Sequence, residues 1–315
     1  MLAAHQLRRL LAAPFARRPF ALQRLRWPNP FSPPYRASEI NLYRPGELGD
    51  VVMCLAVVRA IRERNPQARI TFVTNYTDLL AGHPLLDRVM HSQEAIQAGL
   101  HPLIALRYEV FIPLRRHVID YLAGCVGLPG IAPQIPLPDF TADLGALAEC
   151  LPRARPRIVI CRNAGPFTPN KDWPAERWDE LIDRLLAWAA VVELGTTVPP
   201  NKAASHHVDL RGRTNVRQFC AIISMADLVI SAVTSSVHIA AAYRVPTLSI
   251  LGGYELPENT AYPRHTTLYR AVSCSPCWLR KPCPYGLPCL HQIEVDEVLT
   301  AARKILQDRK GTTSD

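Results

Sequence analysis

No stretch of this 315-residue chain approaches the eighteen or so consecutive apolar residues that a membrane-spanning helix needs, so a soluble protein is expected. Acids are missing from the first 36 residues, which carry Arg8, Arg9, Arg17, Arg18, Arg24, Arg26 and Arg36 and no carboxylate before Glu39. The formal net charge of +9 therefore leaves +2 for all that follows, which argues against a globally basic nucleic-acid binder; no nucleic-acid partner is expected. The charge sits in a basic arm, residues 1–37, interleaved with Leu7, Leu10, Leu11, Phe15, Phe20, Leu25 and Trp27. Such an arm suits an anionic membrane surface, an organellar transit segment or a disordered tail. Pro14 and Pro19 keep it from being one long helix, and it lacks the continuous apolar centre of a secretory signal.

An even disulfide framework is also lacking. Cys54, Cys125, Cys150, Cys161 and Cys220 sit mostly among apolar neighbours, where thiols pack as small hydrophobes, and a reducing, cytoplasmic compartment is expected. There is no internal repeat and no low-complexity tract. Nearly half of the residues are apolar, enough for a sizeable core, and the length exceeds that of a usual single domain.

From residue 40 onward, β-type runs alternate with helical ones: "INLY", then Val51 to Arg64; "RITFVT", then a helix near Tyr76; "RVM", then Gln93 to Gly99; "YEVFIPL", then Val118 to Gly127. After the Pro/Gly-rich "GLPGIAPQIPLPDF", read as a linker or surface loop, a second series begins at "RIVICRN" and continues through "AVVELG", "VDLRG", "LVISA" and "PTLSILGG" with helices between, the last over about Glu294 to Gln307. This is the pattern of two Rossmann-like α/β domains, 38–152 and 153–292, with a terminal helix and tail at 293–315. Their parallel sheets are expected to face each other across a cleft, and ligands of such sheets bind beyond the carboxyl ends of the strands.

Three loops after strands carry candidate chemistry. In "YRPGELGDVV", Asp50 stands where a phosphate would have to sit, beside the positive end of the next helix, which favours its ionised form. Spacing leaves two readings open, an N-cap or a proton-accepting base. In "NAGPFTPNKDWPAERW", Lys171 precedes a proline-started helix and is either a cation for an anion in the cleft or a solvated charge; Trp173 and Trp178 read as packing residues. No Walker spacing is present. In "ISAVTSSVHIAAAYRVPTLSILGG", Thr234, Ser235, Ser236 and His238 open a helix whose free N–H groups suit a diphosphate, or else cap a buried helix. Gly49, Asn163, Gly195 and Gly252 are further cleft candidates.

The remaining cysteines, Cys274, Cys277, Cys283 and Cys289, lie close together in a loop over 274–289, spaced C-x2-C-x5-C-x5-C. They can supply four thiolates to a structural zinc or iron, or stand as reduced or reversibly disulfide-bonded thiols; no His/Asn pairing marks them as catalytic.

Taken in order, "GELGDVVMCLAVVRAIRERNPQARITFVT", "NKDWPAERWDELIDRL", "LRGRTNVRQFCAIISMADLVISAVTSSVHIAAAYRVPTLSILGG" and the tail "CSPCW…CPYGLPCLHQIEVDEVLTAARKIL" resemble glycosyltransferase family 9, the ADP-heptose:lipopolysaccharide heptosyltransferases, over most of residues 41 to 306. The resemblance implies a GT-B fold and an inverting transfer of a sugar, heptose foremost, from a nucleotide-diphosphate donor to a lipopolysaccharide-core or other lipid-linked glycan, with no cofactor and no catalytic metal. It makes Asp50 the general base, sets Lys171, Thr234, Ser235 and His238 at the donor phosphates, and places the enzyme at the inner face of the membrane. The chain departs from the family pattern at Val233, where an acid is usual, and at Ser235, where a glycine is; the valine removes a negative charge near the diphosphate and any hydrogen bond that acid made. These departures keep a catalytically silent GT-B-like nucleotide-sugar-binding or assembly protein as the alternative, with a metal-dependent regulator built on the cysteine loop behind it.

Overall fold

The β-type runs resolve into two all-parallel sheets in a computed structural model that describes residues 33–165, 168–196 and 207–311. The basic arm up to residue 32 lies outside the described residues. The first lobe runs β1 (Glu39–Tyr43), α1 (Leu48–Arg64), β2 (Arg69–Thr74), α2 (Thr77–Leu80), β3 (Arg88–His91), α3 (Ser92–Gln97), β4 (Ile104–Ala105), α4 (Val118–Gly124) and α5 (Leu147–Cys150). The second runs β5 (Arg157–Cys161), α6 (Ala175–Leu185), β6 (Ala190–Glu193), β7 (His207–Asp209), α7 (Val216–Ser224), β8 (Leu228–Ala232), α8 (Ser235–Ala242), β9 (Thr247–Leu251), β10 (His265–Tyr269), α9 (Pro288–His291) and α10 (Val295–Gly311).

Sheet order is β3-β2-β1-β4 in the first lobe and β10-β9-β8-β5-β6-β7 in the second. Each sheet therefore changes winding direction once, between β1 and β4 and between β5 and β8. A crevice opens at those points beyond the strand ends, because the loops leave toward opposite sides. Every residue of β5, β6, β8 and β9 is buried, as a parallel sheet covered on both faces requires. Helix α1 is apolar on nearly all sides, and Val51 to Val58 are buried without a break. A helix with no polar face has to be enclosed; α1 packs on α4 in its own lobe and on α8 of the other.

That contact puts the N-termini of α1 and α8 against each other at Gly49. A β-carbon there would stand 2.9 Å from His238 Cδ2 and 3.2 Å from the Cα of Ser235. Gly49→Ala is expected to force the lobes apart and to cost about 1–3 kcal/mol, as overpacking does; denaturant unfolding with the slope held constant measures it.

The proline-rich segment after α4 is more than a linker. Ile135 and Phe140 are buried, the Pro136 carbonyl lies 2.8 Å from His83 Nε2 of the first lobe, and the Pro138 carbonyl accepts from the Tyr243 hydroxyl of the second at 2.6 Å. Two readings of the sequence need correction. Tyr108–Leu114 is not a strand: the place beside β1 is filled by Ile104–Ala105, and Glu109–Phe111 forms a 3-10 turn ahead of Pro113, which has no N–H for a ladder. The second sheet does not end at "PTLSILGG", the last strand read from sequence: His265–Tyr269 is a further strand beside β9.

At the end of β6, Glu193 is fully buried between Arg162 at 2.5 Å and Arg211 at 3.0 Å. Glu193→Ala would leave two buried guanidinium groups short of their common counter-charge, and a loss of about 3–5 kcal/mol is expected from the same unfolding measurement.

Candidate active site

A cavity of about 660 Å³ lies between the lobes, at the point where both crevices meet, and is lined from both sides. Its first-lobe wall grows from the β1–β4 crevice. Arg44 follows the last residue of β1, is almost wholly buried, and its Nη1 donates to the Leu106 carbonyl at 3.0 Å. Asp50 is the third residue of α1 and is also buried. The residue preceding the helix is Glu47, which makes no side-chain cap. Asp50 instead accepts from Arg44 Nη2 through Oδ2 and from the Tyr108 hydroxyl through Oδ1 at 3.3 Å. The capping reading of Asp50 therefore does not hold. Burial raises the pKa of Asp50 from its ordinary value although Arg44 opposes it.

The second-lobe wall grows from the β5–β8 crevice. Asn163 follows β5, Gly195 follows β6, and Val233, Thr234, Ser235 and His238 come from the turn after β8 and the start of α8; all line the cavity. Thr234 is the N-cap of α8, its hydroxyl accepting from the N–H of Ser236. His238 is buried, with Nδ1 2.8 Å from the Tyr262 hydroxyl. Burial, aided by His117, Lys171 and His265, pushes its pKa well down, so it is a neutral imidazole near pH 7. Lys171 lines the cavity with its Nζ 2.5 Å from the buried Glu255 carboxylate and 4.7 Å from the Tyr254 ring centre.

Two candidates stand elsewhere. Ser236 does not line the cavity: its hydroxyl is fully buried and pairs with Ser231 at 2.6 Å and Thr234 at 2.7 Å. Gly252 is likewise off the cavity and lies under Leu290, whose Cγ would be 2.8 Å from an added β-carbon. Arg44, Tyr108, Glu109, Glu255 and Arg280 line the cavity without having been picked out from sequence as cleft residues. Arg44 was the most accessible of these, being the first residue beyond β1 at a winding reversal.

The cysteine loop serves the lysine turn. Asn170 Nδ2 donates to the carbonyls of Leu279 and Lys281, each at 2.7 Å, while its Oδ1 accepts from the N–H of Cys283 at 2.9 Å. Thr168 donates to the Leu279 carbonyl at 2.9 Å. The thiols of Cys274, Cys289 and Cys283 are near enough to Cys277 to add to the effect of burial in raising its pKa. Yet no group of three His, Cys, Asp or Glu side chains among the described residues is placed to hold a metal, and all nine cysteines are free thiols. The structural zinc or iron expected from their spacing thus finds no support in the geometry. Trp173 and Trp178 are buried edge to face at 5.2 Å, as packing residues should be. No helix among the described residues is long and apolar enough to cross a membrane.

The sequence model of glycosyltransferase family 9 (heptosyltransferase) matches residues 121–286, more than half of the chain. Lipopolysaccharide heptosyltransferase 1 of Pseudomonas aeruginosa is 29% identical over 162 residues, 48% of this chain and 44% of that protein, so the match spans less than half of that relative. The lipopolysaccharide core heptosyltransferase OpsX of Haemophilus influenzae is 22% identical over 281 residues, 70% of this chain and 80% of that one. Among solved structures, the ADP-heptose lipopolysaccharide heptosyltransferase II of E. coli superposes with a TM-score of 0.69 at 17% identity, over 86% of this chain and 99% of that one. The GT-B arrangement expected from sequence is the one observed.

Proposed function

Because the chain belongs to glycosyltransferase family 9, we propose that it transfers a heptose from an ADP-heptose-like donor to a hydroxyl of a lipopolysaccharide-core acceptor, with inversion and without a catalytic metal. The observation that carries this reading is the meeting of α1 and α8 at Gly49, which sets a buried carboxylate and the N-terminus of a second helix in one cavity. Asp50 takes the proton of the acceptor hydroxyl as its oxygen bonds to the anomeric carbon; the bond from that carbon to the diphosphate oxygen breaks on the opposite face, which inverts the centre. The departing nucleoside diphosphate carries the electron pair and a new negative charge. Thr234, the first N–H groups of α8 and Lys171 meet it, and neutral His238 adds packing or a hydrogen bond without repelling a cation or proton. The names of the relatives support the sugar and the acceptor class. A lipid-linked acceptor is consistent with work at the inner membrane face, a contact that the basic arm suits. A catalytically silent binding role is not favoured, because the family relatives are named as transferases.

Donor choice is tested by a thermal shift screen. ADP-sugars are expected to raise the melting temperature more than UDP- or GDP-sugars do, since a ligand selective for the native state stabilises it; no shift with any of them would count against donor binding. A second test is the pH profile. Asp50 accepts a proton only when ionised, and burial lifts its pKa. Turnover is expected to fall as pH drops through a limb lying above the ordinary aspartate value; a limb at or below that value would contradict the assignment of the base.

A further inference from the structure

Glu109 is a charged side chain lining the cavity that the reaction above does not use. Its Oε1 lies 2.7 Å from Arg44 Nη2, the same nitrogen that donates to Asp50 Oδ2. Two carboxylates thus share one guanidinium nitrogen. Arg44 cannot turn away from either, because its Nη1 is committed to the Leu106 carbonyl. Glu109 is itself held by the 3-10 turn after β4, where its Oε2 accepts from the Tyr108 N–H at 3.1 Å.

We propose that Glu109 is a positioning residue that sets the proton affinity of Asp50 by sharing Arg44 with it. The inference rests on the reading of Asp50 as the base. A carboxylate paired wholly with a buried arginine stays ionised but is stabilised so far that it accepts a proton poorly, whereas one buried alone is already protonated at working pH. Glu109 holds Asp50 between these limits: it draws on the same cation and adds a negative charge that favours the protonated form. Burial works against the charge of Glu109 too, but Arg44 and backbone N–H groups outweigh it, so its pKa lies below the usual value and it is ionised near pH 7. Asp50 is raised by burial, lowered by Arg44 and raised again by Glu109 and Glu47. Among the described residues, the remaining titratable groups facing it are Cys54 from its own helix, Tyr76 and Tyr108 from the first lobe, and Tyr254 from the second; burial raises the pKa of each, so all are neutral near pH 7. His238, beside Gly49, is neutral as well, and the cation of Lys171 is met by Glu255.

The test is a 13C NMR titration of carboxyl-labelled aspartate in the full chain, with the Asp50 resonance identified by its loss in Asp50→Asn. Glu109→Gln, which keeps the shape of the side chain, is expected to lower the Asp50 midpoint. Arg44→Gln is expected to raise it, and the double variant to fall between the two. In turnover assays Glu109→Gln is expected to move the acid limb to lower pH and to reduce kcat about tenfold, with KM for the donor nearly unchanged. A merely structural role for Glu109 would move neither the midpoint nor the limb. An Asp50 midpoint in Glu109→Gln that is unmoved or raised overturns the proposal. If Arg44→Gln fails to fold, as judged by its thermal melt, Glu109→Gln alone decides. Turnover retained in Asp50→Asn would instead reject Asp50 as the base, and the titration separates that failure from the failure of the coupling because it needs no turnover.

Discussion

Asp50→Asn is expected to reduce kcat by about 10²- to 10⁴-fold, the range that a positioned general base contributes, while donor affinity stays within about twofold of the unaltered chain because the diphosphate is gripped by the other lobe. The substitution keeps the volume of the side chain and can still accept from the Tyr108 hydroxyl, so a large loss of turnover would not trace to a collapsed wall. It removes the counter-charge of Arg44, but Glu109 remains on the same guanidinium nitrogen, and the fold should survive. Initial-rate kinetics with calorimetric titration of ADP measures both arms. Nearly full turnover in Asp50→Asn would remove the aspartate from the chemistry.

Lys171→Ala is expected to cost about 10²- to 10³-fold in kcat/KM, the scale for loss of a preorganised group at a developing charge, and also to weaken ADP binding. Two effects combine here. The variant takes away a cation from the leaving diphosphate, and it leaves the buried Glu255 carboxylate without Lys171, its partner at 2.5 Å, so that its charge repels the incoming anion. A companion Lys171→Ala, Glu255→Gln variant separates them: it should recover part of the ADP affinity and little of kcat. Equal ADP affinity in the original chain and in Lys171→Ala would show that the lysine serves only its ion pair with Glu255.

The alternation of strands and helices made the two lobes legible, because nearly every buried strand is a short β-branched run with a helix behind it. The site was legible in the segments that lead from a strand into the next helix. Asp50 lies in the first turn of α1, Thr234 caps α8, Ser235 and His238 lie in its first turn, and Lys171 precedes α6; all line the cavity. Ser235 and Ser236, two adjacent hydroxyls at a helix start, look alike in sequence, yet the helical turn sets one on the cavity wall and the other in the core. Tyr108 and Glu109 were hidden by their own pattern. "YEVFIPL" carries the residues of a strand, and only the topology reveals that β4 ends before it, freeing the segment to turn its polar side chains onto Arg44 and Asp50. Glu255 was out of reach for another reason: its pairing with Lys171 joins residues 84 apart, and no local periodicity encodes it. The cysteine spacing suggested a metal, whereas the loop it punctuates is tied through backbone groups to the turn that carries Lys171.

A crystal structure of the full chain with a non-transferable ADP-sugar tests the central division of labour most directly. The account predicts the diphosphate against Thr234, Ser235 and Lys171 at the start of α8, with the anomeric carbon between it and an unobstructed Asp50 carboxylate. A diphosphate seated in the turn of Gly46 to Gly49, in contact with the aspartate's own helix and away from Lys171, would contradict it.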